Sequence, residues 1–396
     1  MAQIKRATVR LSKPRRALTD RDRTEITLAR FENIHRTGTM TPLGTLAKRF
    51  RRDETVISRI ISSSLRSGLV EIRAAEEASI AALRREDIER ELLKKYSSLI
   101  SAVVVNTPAP PDESVTSNAM MQYSDYVHRI LGMALAHEIC RGTMIRDGDR
   151  VGIGPGRGVY ETARWMQKQT PVRARHVTLV SLSGVGFLRH HAHNRNLLLD
   201  PDFIVAFMGE AFEHPVTLDL VAAPLVCSPE KTLASTAWLR SPGRGRPLLD
   251  TAILGIGAFV PGNRFYEEAA ATPPSQDSVY GPIRPALRSL RAACARAATD
   301  GHVPLADVGY HLFLVPSARG DQATSGVRNE MQRQIDAINA TLLSAHRDDF
   351  QSMRSAMLVA GTPAKARAID HVLTSNFLRA SHISTDKNAA EILLSL

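Results

Sequence analysis

Residues 151–166, VGIGPGRGVYETARWM, hold the most chemically suggestive spacing in the chain. The pattern predicts an apolar strand that ends at Gly154, a glycine-rich turn, and a helix that begins near Gly158. In such a turn, backbone N–H groups and the positive end of the helix converge on an anion, which glycines allow to approach closely. Arg157 adds a fixed charge whose planar fork suits a phosphate. The turn therefore predicts an anion site formed by Gly154, Gly156, Arg157 and Gly158.

Other interpretations of this turn are weaker or stay open. A dinucleotide-binding fingerprint needs an acidic residue about 20 residues further on, whereas residues 171–177 read PVRARHV. A Walker A loop needs Lys followed by Ser or Thr, and neither stands at the required place. A plain tight turn that holds no ligand remains an open alternative.

The first 75 residues carry nearly all of the chain's net positive charge. They contain 17 Lys and Arg against 7 Asp and Glu, and the net charge of the whole chain is +11. A basic region of this density attracts phosphates through counterion release, which favours a nucleic-acid partner. For residues 5–16 (KRATVRLSKPRR) a solvated or disordered tail is an equally good interpretation.

Residues 41–66 have the pattern of two short helices joined by a tight turn. Thr41 is placed to cap the first helix ahead of Pro42, and Asp53 is placed to cap the second. Apolar residues recur at helical spacing on one face of each helix: Leu43, Leu46, Ala47 and Phe50, then Val56, Ile57, Ile60, Ile61 and Leu65. We therefore predict a helix-turn-helix whose second helix reads the major groove of DNA. The predicted DNA-binding side chains are Thr55, Ser58, Arg59 and Ser62.

Flanking segments complete a winged form of this domain. Residues 21–36 predict a supporting first helix, with Ile26, Leu28, Ala29, Phe31 and Ile34 on its apolar face. After a break at residues 67–68, the run LVEIR at residues 69–73 alternates like a short strand, where a winged domain places its wing. Three helices that pack together without a DNA role remain the alternative.

The rest of the chain is too long to be an accessory to DNA binding. A chain of 396 residues with 43% hydrophobic side chains predicts two or three domains and a large core. We divide it into residues 1–75, the basic tail and winged helix-turn-helix, residues 76–97, a linker helix, and residues 98–396, an effector-binding and oligomerisation domain.

Residues 98–396 alternate short apolar runs with helical segments. The predicted strands cover residues 100–105, 150–154, 176–182, 220–225, 252–256, 312–315, 356–360 and 382–384, and the predicted helices residues 121–140, 159–169 and 389–396. This alternation predicts an α/β fold with a doubly wound parallel sheet.

Several classes of protein are disfavoured by what the sequence lacks. No run approaches the ~18–20 apolar residues of a membrane span, and the basic N-terminal region has no apolar signal core, so we expect a cytoplasmic protein with no membrane partner. Cys140, Cys227 and Cys294 lie far apart, which favours reduced thiols over disulfides or zinc. We expect no cofactor and no metal. The histidines in residues 184–196 (His190, His191 and His193) fit a metal or pH-sensing loop, or a solvated loop.

A known family shares these motifs in the same order. Residues 53–61 (DETVISRII), 67–72 (SGLVEI) and 148–157 (GDRVGIGPGR) resemble the SorC family of sugar-binding, DeoR-like transcriptional regulators. Further similar segments follow at residues 223–230 (APLVCSPE), 252–257 (AILGIG), 306–309 (ADVG), 358–366 (LVAGTPAKA) and 383–390 (ISTDKNAA), so the resemblance covers about residues 40–396. It implies a helix-turn-helix that binds operator DNA. It also implies a C-terminal domain, related in fold to ribose-5-phosphate isomerase, that binds a phosphorylated sugar and forms homodimers or homotetramers.

The resemblance assigns roles to individual residues. Gly154, Gly156 and Arg157 match the family's phosphate loop, Asp307 the acidic residue that faces sugar hydroxyls, and Lys365 the basic residue that closes the pocket. The chemistry agrees, because a carboxylate accepts hydrogen bonds from hydroxyls and a lysine reaches an anion as a point charge. The alternatives are a surface salt bridge for Asp307 and a solvated helix position for Lys365.

The chain departs from the family next to the loop arginine. The family usually has Thr or Ser directly after it, whereas this chain has Gly158, so one hydroxyl contact to phosphate is missing. Tyr160 and Thr162 are candidates to replace that hydroxyl; a different effector is the other explanation. We keep Gly158 in the predicted effector site because its backbone belongs to the turn.

The sequence thus favours a transcriptional regulator, repressor or activator, whose operator affinity is modulated by a phosphorylated sugar, and not an enzyme. The alternative is a sugar-phosphate enzyme, isomerase-like, with a basic appendage. No second carboxylate, histidine or nucleophile is evident beside the glycine turn, and proton transfer would need one.

Overall fold

The computed structural model describes residues 18–32, 40–66, 83–110, 117–185, 199–227, 249–261, 263–271, 279–297, 304–316, 325–375 and 377–396. The chain divides into two compact units, Met1–Ala74 and Ala75–Leu396. The predicted tail (5–16), wing strand (69–73) and histidine loop (190–193) lie outside the described residues.

The described part of the N-terminal unit contains three helices: α1 (Asp20–Phe31), α2 (Leu43–Phe50) and α3 (Glu54–Arg66). A capping box begins α1, since the Thr19 hydroxyl accepts from the Asp22 N–H at 3.2 Å and the Asp22 carboxylate accepts from the Thr19 N–H at 2.8 Å. The apolar faces meet in one small core of Ile26, Ala29, Leu46, Ile57, Ile60 and Ile61. The turn between α2 and α3 is three residues long, and Arg51 opens it in the left-handed region at φ 50°.

Two predictions for this unit were wrong in detail. Pro42, not Thr41, is the N-cap of α2, because buried Thr41 instead donates its N–H to the Arg30 carbonyl at 2.9 Å, which ties α2 to the end of α1. Leu28, predicted on the apolar face of α1, is 56% exposed. The described helix covers Asp20–Phe31, and the end of the predicted segment, residues 33–36, lies outside the described residues.

The described residues of the C-terminal unit form ten strands: β1 (Ser101–Val105), β2 (Arg150–Ile153), β3 (Thr178–Ser181), β4 (Thr217–Asp219), β5 (Thr251–Leu254), β6 (Ile256–Ala258), β7 (Leu305–Val308), β8 (His311–Leu314), β9 (Ser355–Val359) and β10 (Ala380–Asp386). Seven of them form a central sheet of parallel pairs in the order β1-β10-β9-β5-β2-β3-β4. All residues of β5 and β9 are buried, as expected for a parallel sheet covered on both faces.

The described part of this unit also contains ten α-helices: α4 (Glu86–Lys95), α5 (Ser117–Arg141), α6 (Arg157–Met166), α7 (Pro201–Gly209), α8 (Arg264–Ala270), α9 (Arg284–Ala297), α10 (Ser325–Asn339), α11 (Arg347–Ser352), α12 (Ala366–Thr374) and α13 (Lys387–Ser395). Ile88 and Leu92 of α4, in the segment predicted as a linker, are buried in the core of this second unit. Among the described helices, none is long and apolar enough to cross a lipid bilayer.

The mixed α/β prediction holds for the central sheet, but a second sheet was not predicted. Strands β6, β7 and β8 form a separate antiparallel sheet. The predicted strand 252–256 is therefore two strands in different sheets, and the predicted strand 312–315 corresponds to β8 of the small sheet. Residues 220–225 are not a strand: Ala222 has φ 48° and Pro224 lacks an N–H, so the parallel strand β4 lies earlier, at Thr217–Asp219.

Candidate effector site

The glycine turn lies at the carboxyl end of β2, in the middle of the central sheet. The Gly154 N–H donates to the Ile253 carbonyl at 3.0 Å, and the Gly156 carbonyl accepts from the Tyr160 N–H at 2.9 Å. Gly156 is the N-cap of α6 and has φ 117°, a conformation that L side chains rarely adopt. Among the described residues, no atom lies within 4 Å of a Cβ built there, so this part of the structure leaves the space above the turn open. Sequence analysis thus located correctly both the turn and the helix that starts from it.

Gly158 is glycine because there is no room for a side chain. An ideal Cβ at this position would lie 3.0 Å from both methyl carbons of Val359 and 3.1 Å from the Val359 carbonyl oxygen. The close approach packs α6 directly on β9 and explains why no hydroxyl follows the loop arginine. Thr162, one candidate replacement, is fully buried and donates its hydroxyl to the Gly158 carbonyl at 2.8 Å. Tyr160, the other candidate, stacks on Phe207 with ring centroids 6.0 Å apart.

Arg157 is the first residue of α6 and forms an ion pair with Asp125 of α5. The side chains are 34% and 47% exposed, respectively, so the pair lies at the surface of the turn. A guanidinium in this position can bind a phosphate in the same forked geometry that it uses for a carboxylate.

Lys365 closes a short 3-10 turn (Pro363–Lys365) that follows β9 and is the N-cap of α12. Its Nζ lies 3.1 Å from Nε2 of His128 on α5, and His128 Nδ1 lies 2.6 Å from the Ser124 carbonyl oxygen. Because a carbonyl only accepts, Nδ1 carries the ring proton and Nε2 accepts from the lysine. Burial, and then the charges of Lys365 and Arg157, hold the pKa of His128 well below 6.5. His128 is therefore a neutral acceptor at neutral pH.

Burial lowers the pKa of Lys365 to about 8, although Asp307 opposes the shift. Lys365 is half-buried, so the alternative of a solvated helix position was wrong. The charge of Arg157 also lowers this pKa, whereas the charge of Asp386, like that of Asp307, raises it.

Asp307 lies on β7 of the small antiparallel sheet and is held by neighbours on two sides. Its Oδ1 accepts from Asn263 Nδ2 at 3.0 Å, and the cross-strand partner Gly257 leaves it room, since a Cβ there would be 2.1 Å from the same oxygen. Burial raises the pKa of Asp307, while Asn263 and the charge of Lys365 lower it. The surface salt-bridge alternative was therefore wrong: Asp307 is a half-buried carboxylate that faces a lysine.

A buried carboxylate fixes the turn that presents Lys365. Asp386 is fully buried at the end of β10, and its Oδ2 accepts from the N–H of Thr362, which has φ 80°. Its Oδ1 accepts from the N–H groups of Asn388 and Ala389 at 3.1 and 3.2 Å, which caps α13. One carboxylate thus holds both the turn before Lys365 and the first turn of α13.

The structure brings together Gly154, Gly156, Arg157, Gly158, Asp307 and Lys365, the whole predicted effector set, and adds side chains that sequence analysis missed. Asp125 and His128 come from α5, Asn263 precedes α8, and Asp386 ends β10. The argument that no histidine or further carboxylate lies beside the glycine turn was wrong, because Asp125 and His128 do. Their three-residue spacing on a predicted helix was the available signal. Across the described residues, no cluster of three or more His, Cys, Asp or Glu could hold a metal ion.

The predicted DNA-reading residues share the outer face of α3. Thr55 and Arg59 are exposed and Ser58 and Ser62 are half-exposed, whereas Ile57, Ile60 and Ile61 of the same helix are buried. The polar face of α3 therefore does not belong to the hydrophobic core of the N-terminal unit.

Comparisons with known proteins show similarity in structure only. No protein-family profile matches the sequence, and no curated protein matches it. A domain assigned to sugar binding in a transcriptional repressor from Vibrio fischeri has a TM-score of 0.52 and 15% identity, and the match covers 78% of this chain and 98% of that domain. The full-length sorbitol operon regulator SorC from Klebsiella pneumoniae has a TM-score of 0.49 and 16% identity over 95% of this chain and 99% of that one.

A DeoR family transcriptional regulator from Listeria monocytogenes has a TM-score of 0.48 and 14% identity, with 78% of this chain and 98% of that chain covered. Because the N-terminal unit has only 74 residues, most of the Vibrio fischeri match falls in the C-terminal unit. The chain therefore shares the mixed α/β fold of the Vibrio fischeri domain, with a mostly parallel central sheet.

Proposed function

We propose that this chain is a DNA-binding transcriptional regulator whose operator affinity is modulated by a phosphorylated sugar. The observation that carries the proposal is the site at the carboxyl ends of β2 and β9, where two cations, Arg157 and Lys365, flank an open glycine turn and a half-buried carboxylate, Asp307, lies opposite. Ligands of parallel α/β folds bind at this edge of the sheet.

Each group has a distinct task in this proposal. The phosphate binds at the Gly154–Gly158 turn, where the N–H groups at the start of α6 and the Arg157 guanidinium donate to its oxygens. Lys365 contributes a second positive charge. Asp307, held in place by Asn263, accepts hydrogen bonds from sugar hydroxyls, which distinguishes a sugar phosphate from inorganic phosphate.

The N-terminal unit supplies DNA binding. Its basic charge provides affinity for phosphates, and the exposed face of α3 (Thr55, Ser58, Arg59 and Ser62) reads base edges as the second helix of a winged helix-turn-helix. Since one recognition helix covers one half-site, we propose a homodimer or homotetramer. Light scattering at micromolar concentration tests this, and a monomer would contradict it.

The effector role is tested by operator titrations with and without a panel of sugar phosphates. Arg157→Ala should keep operator affinity but lose most of the effector response, because a charge-assisted contact to an anion is worth about 1.5–3 kcal/mol. Arg150→Ala is the matched control: it removes an arginine that pairs with Asp219 at 3.0 Å at the beginning of β2, the end of that strand opposite the glycine turn. An unchanged response in Arg157→Ala would place the effector elsewhere.

A sugar-phosphate enzyme of the isomerase type is the second candidate, and one observation favours it. Lys365, with its pKa lowered to about 8, lies beside neutral His128, and the charge of Asp307 acts on this pKa. The site therefore contains groups that are able to transfer a proton. Incubation of the protein with pentose and hexose phosphates in heavy water, followed by NMR, tests this. Deuterium incorporation at a sugar carbon that Lys365→Met abolishes would establish catalysis.

A further inference from the structure

Two side chains of α5 contact the two cations of the candidate effector site. Asp125 pairs with Arg157, and His128 accepts a hydrogen bond from Lys365 at 3.1 Å. Residues three apart on a helix lie on the same face. One face of α5 therefore covers both positive charges that the proposed function assigns to an anion.

The two contacts differ in chemistry. His128 is neutral and leaves the charge of Lys365 available to an anion. Asp125 is a carboxylate, and it uses the same guanidinium N–H groups that a phosphate needs. The half-exposed pair is also easily opened, since ion pairs accessible to water stabilise a protein only slightly.

The rest of α5 is firmly held. Its Leu131 carbonyl accepts from the Ser384 hydroxyl at 2.9 Å, and Gly132 packs so closely on α6 that a Cβ there would lie 2.6 Å from Cβ of Glu161. Tyr123 and Val127, on either side of Asp125, are buried as well, so a change in the partner of Asp125 is confined to its own side chain.

We propose that Asp125 is an intramolecular competitor of the effector: its carboxylate occupies Arg157, and an anion must displace it in order to bind there. This inference rests on the proposed effector site. It makes Asp125 the residue that sets the affinity for the anion.

The test measures the affinity of the full-length protein for inorganic phosphate by titration calorimetry. Asp125→Asn removes the competing charge while preserving shape, and we expect phosphate to bind about fivefold more tightly, as for release of a surface ion pair. Asp219→Asn removes the carboxylate from the Arg150 pair, which has similar exposure, and should change the affinity less than twofold.

The combination Asp125→Asn with Arg157→Ala separates competition from a general charge effect. If Asp125 acts through Arg157, the double variant binds phosphate no more tightly than Arg157→Ala alone. Equal or weaker binding by Asp125→Asn than by the natural chain overturns the inference, as does undetectable binding by both. If the proposed function is wrong, the result is different: no sugar phosphate changes the operator affinity. That outcome does not depend on which variant binds inorganic phosphate most tightly.

Discussion

The contact between Gly158 and Val359 predicts that the hydroxyl absent from the glycine turn cannot simply be added. In Gly158→Ser, the new Cβ would lie 3.0 Å from two methyl carbons and 3.1 Å from a carbonyl oxygen, well inside the ~3.5–4.0 Å of favourable carbon contacts. Val359 is 2% exposed and belongs to the central sheet, so it has little room to move. Overpacking of this kind costs about 1–3 kcal/mol, and the better helix propensity of Ser returns only about 0.5 kcal/mol. We expect a net loss of about 1–2 kcal/mol.

Urea unfolding of the full-length chain, followed by tryptophan fluorescence, measures this loss, since Trp165 lies on α6. Gly326→Ser is the matched control, because Gly326 is also the second residue of its helix but has no described residue within 4 Å of an ideal Cβ. Its free energy of unfolding should stay the same or rise slightly. In a Val359→Ala background the cost of Gly158→Ser should shrink but not vanish, because the carbonyl contact remains. Equal stability of Gly158→Ser and Gly326→Ser would refute the packing explanation.

Three further predictions concern DNA and pH. Arg59→Ala should weaken operator binding by about 1–3 kcal/mol more than random-DNA binding in paired titrations; equal losses would make Arg59 a phosphate contact. The free energy of unfolding should fall as the pH drops below 6.5, because His128, whose pKa is well below that value in the fold, takes up a proton only on unfolding. Urea unfolding across that range checks this, and His128→Asn should flatten the slope. Phosphate affinity should decrease above about pH 8 as Lys365, with its pKa lowered to about 8, loses its charge; an affinity constant from pH 7 to 9 would contradict this.

The elements that could be predicted from the sequence are those that depend on consecutive residues. The strand before Gly154 and the turn after it depend on glycine conformation and a short apolar run, both visible in consecutive residues. The buried strands β5 and β9 are equally visible as apolar runs. In contrast, β4 is an edge strand with Thr217 and Leu218 exposed, so it lacks an apolar run, while the apolar residues 220–225 do not form a strand.

The partners of the site residues could not be predicted, because they come from the packing of distant elements. Asp125 meets Arg157 across 32 residues of sequence, and Lys365 meets His128 across 237. The same holds for Gly158, because its neighbour Val359 belongs to a strand far along the chain. The sequence shows that a hydroxyl is missing at position 158, but it does not show the contact that excludes one.

The dual role of Asp386 constrains how this protein can change over evolution. Because one carboxylate serves both the Thr362 turn and the beginning of α13, the two segments cannot vary independently. Asn has the same length but only one acceptor oxygen, so it could serve only one of the two segments, and the longer side chain of Glu would displace both contacts. Related chains that replace Asp386 should therefore also differ at Gly361, where any Cβ would lie 2.4 Å from its carboxylate. Covariation of positions 361 and 386 would identify which relatives retain the lysine-bearing turn in this form.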